Sequence, residues 1–161
     1  VIALRPTLGF TFSHPAHAIA FGFGAGLSPF APGTAGSALG WAIGWALGAL
    51  HPAAFFSVVV VFFLAGLWAC EVTGRHLGVA DHGGMVWDEV VAFLLVLAVV
   101  PRALAWQAAA FVLFRFFDIA KPPPIRQLER RYGGGFGVMF DDIVAAAYTL
   151  LALAVVKRAF L

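Results

Sequence analysis

The chain has 161 residues, 62% of them hydrophobic and 11% charged, with a mean hydropathy of +0.95. Soluble domains average about 45–50% apolar and about 25% charged residues, so this composition reads as a polytopic membrane protein forming one domain. A formal net charge of +2 is too small to suggest a nucleic-acid partner, and the single Cys70 excludes an intrachain disulfide or a multi-cysteine metal site.

The first residues lack the basic flank, apolar run and cleavage site of a signal peptide, so no cleaved segment is expected. Ser13-His14-Pro15 predicts a helix start, with Ser13 as N-cap and Pro15 in the first turn. His17 to Phe23 then forms a short helix lying on the membrane, with His14 and His17 on one face as interfacial polar residues. Residues 22–37, GFGAGLSPFAPGTAGS, contain five glycines and two prolines and read as a loop. Such a loop is either a tight re-entrant turn or an anion nest of backbone N–H groups, to which Ser28, Thr34 and Ser37 would add hydroxyls.

Ser37 to Leu50 is the first candidate span. Gly36, Gly40, Gly44 and Gly48 recur every four residues, the small-residue stripe that lets membrane helices approach closely. Trp41 and Trp45, also four apart, belong to the same packing account. Ala53 to Cys70 is eighteen residues without a charge, a strong spanning helix in which Cys70 is a buried, inert thiol. Glu71 to Asp81 is polar. The stretch Asp81-His82-Gly83-Gly84-Met85-Val86-Trp87-Asp88-Glu89 leads into an apolar helix to Val100. Leu104 to Ala120 is the next helix, stopped before Pro122-Pro123-Pro124. Ile125 to Gly137 reads as a basic loop, and Asp141-Asp142 opens a last span to Val156. The expected fold is an all-α membrane bundle of about five embedded helices plus a short N-terminal interfacial helix.

Five crossings put every acid on one side: Glu71, Asp81, Asp88, Glu89, Asp118, Glu129, Asp141 and Asp142. Arg5, Arg75, Lys121, Arg126, Arg130 and Arg131 join them, whereas Arg102, Lys157 and Arg158 fall opposite. The positive-inside rule makes the acid-rich side cytoplasmic.

Carboxylates at the mouth of apolar segments need a cation, a proton or hydrogen bonds. Magnesium takes carboxylate and water oxygens, with substrate phosphate completing its shell, and Asp88, Glu89, Asp118, Asp141 and Asp142 are sufficient ligands. Adjacent acids on a helix point about 100° apart, so one of each pair is expected to bind metal. The other would hold water, pair with Arg115 or act as general base, a role also open to Asp81. Lys121 and Arg126 are the expected phosphate clamps, stiffened by the prolines between them, with Arg115 in support. Arg115, Asp118 and Lys121 could instead form a structural ion-pair ladder. No motif for a cysteine, aspartate or histidine nucleophile is present, which leaves metal-assisted attack by water.

Three blocks carry a family resemblance: residues 22–37, residues 81–89, and FRFFDIAKPPPIRQLERRYGGGFGVMFDDIVAA at 114–146. Together they resemble phosphatidylglycerophosphatase A. The resemblance implies a magnesium-dependent phosphatase of the bacterial inner membrane that converts phosphatidylglycerophosphate to phosphatidylglycerol. It carries Asp81, Asp88, Glu89, Asp118, Lys121, Asp141 and Asp142 over as site residues without settling which acts as base; Asp81, Asp88, Glu89 and Asp142 are the expected catalytic acids. The chain departs from the family's Ala-Gly after the acid pair, having Ala145-Ala146. A phosphatidyltransferase is disfavoured because the acids come from three segments rather than successive turns of one helix. A non-enzymatic magnesium- or lipid-binding subunit is the other alternative.

Overall fold

A computed structural model describes residues 6–160, excepting the side chains of Glu129, Arg130 and Phe160. Arg5 and the side chains of Glu129 and Arg130, assigned above to the acid-rich side, lie outside the described residues. Among the described residues there are helices and no strand. In chain order they are α1 (Leu8–Thr11), α2 (Pro15–Ala20), a 3-10 segment (Gly22–Leu27), α3 (Pro32–Ala46), α4 (Pro52–Leu77), α5 (Trp87–Val99), α6 (Leu104–Ala120), α7 (Ile125–Arg131) and α8 (Gly134–Phe160).

Several boundaries differ from expectation. The N-cap of α2 is His14, whose Nδ1 accepts the Ala16 N–H at 3.1 Å. This leaves Pro15 at N1, where its fixed φ suits the helix and its missing N–H is no loss. Ser13 instead donates to the Phe10 carbonyl at 2.7 Å. The glycine-rich segment is loop only over residues 28–31, because Gly22–Leu27 forms the 3-10 segment and Pro32 starts α3. Glu71 lies inside α4, which runs on to a left-handed Gly78. Residues 125–137 hold α7 and the first turn of α8, so Asp141 and Asp142 sit two turns inside the last helix rather than at its start.

α5 lies at the centre, packed against α3, α4, α6 and α8. Its Val90, Val91 and Leu94 belong to one core cluster and Ala92, Phe93 and Val96 to a second, so it is apolar all round. α3 runs alongside it on the glycine stripe. A Cβ on Gly36 would lie 2.7 Å from Val86 Cβ, and one on Gly40 2.7 Å from the Val90 carbonyl oxygen. Trp41 and Trp45 anchor α3 to α6 by donating to Gln107 Oε1 at 2.8 and 2.9 Å.

α4 and residues Gly134–Ala159 of α8 are long and apolar enough to cross a membrane. α3, α5 and α6, with 15, 13 and 17 residues, fall short of the roughly 20 residues a full span prefers.

At the edge, α2 is tied to α4 by a 2.8 Å hydrogen bond between His17 Nε2 and His76 Nδ1. His14 and His17 do share a face, with ring centroids 5.3 Å apart. Burial, with His76 and His14 nearby, holds the His17 imidazole below its ordinary pKa against the opposing pull of the Phe10 carbonyl.

The close approach of α3 and α5 is testable. Gly40→Leu would overpack against the Val90 backbone, which cannot swing aside, and should cost about 1–3 kcal/mol or more. Thermal unfolding in detergent should show a lowered midpoint, whereas Gly133→Ala, with open space around it, should melt as wild type.

Candidate active site

The segment before α5 is pinned on three sides. Val86 N–H donates to the Ala20 carbonyl of α2 at 2.8 Å, and Trp87 Nε1 donates to the Phe62 carbonyl of α4 at 3.0 Å. Gly84 packs on Gly26 so closely that a Cβ on Gly84 would meet the Gly26 carbonyl oxygen at 3.0 Å. These contacts set where α5 begins and place Asp88 and Glu89 in its first turn. The free N–H groups and positive dipole end of α5 therefore face the acids.

Asp88, Glu89 and, from α8, Asp142 each bring a carboxylate oxygen within 4.8 Å of the others. Asp118 of α6 stands within hydrogen-bonding reach of Asp142. Asp88 Oδ1, Glu89 Oε2 and Asp142 Oδ2 are buried and accept no hydrogen bond from the described residues. Buried carboxylate oxygens in that state call for a ligand, and hard oxygen donors clustered so closely suit a magnesium-type cation. Asp88 and Glu89 both contribute to the cluster, whereas adjacency alone suggests that they would diverge. Of the second pair Asp142 faces the cluster, and Asp141 Oδ2 accepts from Lys121 Nζ at 2.9 Å.

Arg115 supplies local positive charge. Its guanidinium pairs with Asp118 and stands 3.7 Å from Glu89 Oε1. A Cβ on Gly33 would meet the Glu89 carboxylate and, at 2.9 Å, the Arg115 Nη2, so a side chain here would push both charged groups aside. Gly33 is thus a site residue that sequence reasoning missed, although its place three residues before Gly36 continues the stripe. The ladder along α6 is also incomplete, since Lys121 leaves it at a left-handed φ of 44° and pairs with α8. The proline turn is held by Tyr148, whose hydroxyl donates to the Pro123 carbonyl at 2.7 Å, a contact without a sequence signal.

The remaining predicted residues lie around this centre. Asp81 is exposed and lines a cavity of about 120 Å³ together with Tyr132, Gly133 and Asp141. Arg126 is exposed and donates to the Ala120 carbonyl at 3.3 Å. Ser28 donates to the Phe30 carbonyl at 2.8 Å within its own turn, and Thr34 is half-buried near the start of α3. No described hydrogen bond or ion pair joins Ser28, Thr34 or Arg126 to the carboxylates.

Removing Arg115 would leave Glu89 and Asp118 without a counter-charge. Arg115→Ala should destabilise the protein by about 3–5 kcal/mol, read as a fall in the unfolding midpoint. Arg115→Lys should recover part of this loss, because a point charge replaces the fork.

Comparison with known proteins gives the site a context. The family model of phosphatidylglycerophosphatase A matches residues 18–157. A Haemophilus influenzae phosphatidylglycerophosphatase A is 43% identical over 152 residues, covering 92% of this chain and 93% of the relative. The Escherichia coli phosphatidylglycerophosphatase A is 44% identical over 135 residues, covering 83% and 78%. A Bacteroides thetaiotaomicron protein, provisionally named a phosphatidylinositol-3-phosphatase, is 42% identical over 147 residues, covering 86% and 91%. No solved structure matches the chain. With its carboxylates gathered from three helices and a family match over nearly its whole length, this chain belongs to the phosphatidylglycerophosphatase A family.

Proposed function

We propose that this protein is a magnesium-dependent phosphatase that hydrolyses the phosphomonoester of phosphatidylglycerophosphate to phosphatidylglycerol and phosphate. The observation that carries the reading is the meeting of Asp88, Glu89 and Asp142 with unsatisfied buried oxygens, in a chain 43–44% identical to two proteins of that name. Asp88, Glu89 and Asp142 would hold the cation. When bound, magnesium supplies polarisation of the phosphoryl group and activation of water.

The chain's own residues account for the rest. Arg115 holds Asp118 at the edge of the cluster. Lys121, beside Asp141, and Arg126, beyond the proline turn, offer positive charge to the phosphate oxygens. Asp81, in the cavity that it shares with Asp141, is the acid we assign to take the water proton. The water oxygen bonds to phosphorus, the bond to the terminal glycerol oxygen breaks, and that oxygen leaves as an alcohol with a proton from solvent.

The same reading lays α3, α4, α5, α6 and α8 across a bacterial inner membrane in one embedded domain, with α2 at the interface. Outward apolar side chains on the long helices, such as Val61, Leu64, Leu151 and Val155, support it. The acid-rich end faces the cytoplasm, in keeping with six lysines and arginines there against three at the other end.

Phosphate release from phosphatidylglycerophosphate by the purified chain tests the reading. It also separates the phosphatase from a phosphatidyltransferase or a subunit without activity. The Bacteroides relative's name motivates a parallel assay with phosphatidylinositol 3-phosphate. A higher kcat/KM for that lipid would overturn the assigned substrate.

Activity should vanish in excess chelator and return with magnesium. Because both acids face one cluster, Asp88→Asn and Glu89→Gln should each raise the magnesium concentration needed for half-maximal activity. Asp81→Asn should lower kcat with the magnesium dependence nearly intact. Magnesium titrations of the three variants decide the assignment, and a kcat-only loss in Asp88→Asn would move the base there.

Lys121→Ala and Arg126→Ala should raise KM for the lipid. Charge-assisted contacts are worth roughly 1.5–3 kcal/mol each, or about tenfold to a hundredfold. Wild-type kinetics in both variants would place the phosphate elsewhere.

A further inference from the structure

The end of the bundle remote from the carboxylates holds a cavity of about 330 Å³, larger than the others described here. Leu97, in its wall, lies eight residues along α5 from Glu89, about 12 Å by helical rise. Gly44, Trp45, Phe55 and Leu97 make most of the surround apolar, and Arg102 and Gln107 complete it. A cavity with such walls offers water few partners and favours an apolar occupant.

Gln107 gives that occupant a polar requirement. It is 7% exposed, and its Oε1 accepts both the Trp41 and Trp45 indole N–H groups. An indole nitrogen can only donate, so the amide oxygen must face the two indoles and the Nε2 group must point away from them. That Nε2 donates to no described residue, although the side chain is nine-tenths buried in the cavity wall. At the cavity wall this amide can donate to an acceptor oxygen of a ligand. Arg102, exposed at the same cavity, forms no ion pair with a described residue. The described acids all lie at the opposite end, while Lys157 and Arg158 close α8 at this one. The cavity therefore combines an apolar body, a neutral donor and a cation.

We propose that this cavity binds one anionic phospholipid from the leaflet opposite the carboxylates. An acyl chain would lie along Phe55 and Leu97, an ester carbonyl would accept from Gln107 Nε2, and the phosphate would pair with Arg102. Inorganic phosphate meets only the last demand, and a zwitterionic lipid carries its own counter-charge beside the phosphate. The proposal rests on the membrane-spanning reading of the bundle and is independent of hydrolysis.

Native mass spectrometry of the full chain in detergent micelles tests it, with phosphatidylglycerol, phosphatidylcholine and inorganic phosphate titrated separately. Wild type should retain one phosphatidylglycerol, bind phosphatidylcholine at least about tenfold more weakly and retain no phosphate. Arg102→Gln should weaken phosphatidylglycerol retention about tenfold. Ala98→Phe, which fills the cavity from its rim, should abolish retention. Equal retention of the two lipids, or unchanged retention in both variants, would overturn the proposal. The readout is binding, so inactivity towards phosphatidylglycerophosphate would leave the result standing. A chain that stays folded and dispersed without detergent would overturn the membrane reading and this proposal with it.

Discussion

Four carboxylates from three helices, Asp88, Glu89, Asp118 and Asp142, share one region of an otherwise apolar bundle, and Arg115 reaches into it. Desolvating each charge costs several kcal/mol, and the like charges repel one another. Such a cluster holds its geometry only if the backbone around it is rigid, because every side chain in it would relax outwards if given room. The packing of α5 supplies that rigidity. Its first turn is hydrogen-bonded to α2 and α4 through Val86 and Trp87, and α3 closes on it at glycine distance.

The glycine stripe thus does more than bring two helices together. Gly36, Gly40 and Gly44 seat α3 on the backbone and side chains of α5, and Gly33 carries the same face up to the Glu89–Arg115 contact. One helix face therefore begins at the charged cluster and ends beside the remote cavity, where Gly44 forms part of the wall. Close packing at one end restricts the other, since interiors at protein density transmit displacement rather than absorb it.

Much of this could be read from the residues. Gly36, Gly40 and Gly44 show their four-residue period openly, and α6 ends where the triple proline requires. The gathering of acids at one end followed from counting five crossings between the polar stretches. What escaped were boundaries at which a local signal was outweighed. Gly33 read as loop because glycine and proline crowd that stretch, yet Pro32 starts α3 and close contact with Glu89 and Arg115 suits a residue without a Cβ. Glu71 read as the end of a span. It continues the helix because its carboxylate is satisfied twice, by Arg75 at 2.7 Å and by the Gly135 N–H at 2.8 Å. The Gln107 contacts join residues more than sixty apart in sequence, and nothing in the local pattern marks them.

That Glu71 contact also bears on the depth of the site. By accepting from Gly135, Glu71 satisfies one of the free N–H groups of α8 and lets that helix start well before its acids. Asp142 consequently lies eight residues inside α8, about 12 Å below its first residue by helical rise. α5, by contrast, begins at the level of its acids, with Asp88 in the first turn. The long helices α4 and α8 therefore overhang the short α5, and the carboxylates sit in a recess rather than on the rim. In such a recess water is scarce and charge interactions are stronger than at a surface, the condition under which a few positioned acids and cations can act on a phosphate group. On the proposed phosphatase reading, the difference in length between α5 and its two long neighbours sets the depth at which the phosphate would meet the acids.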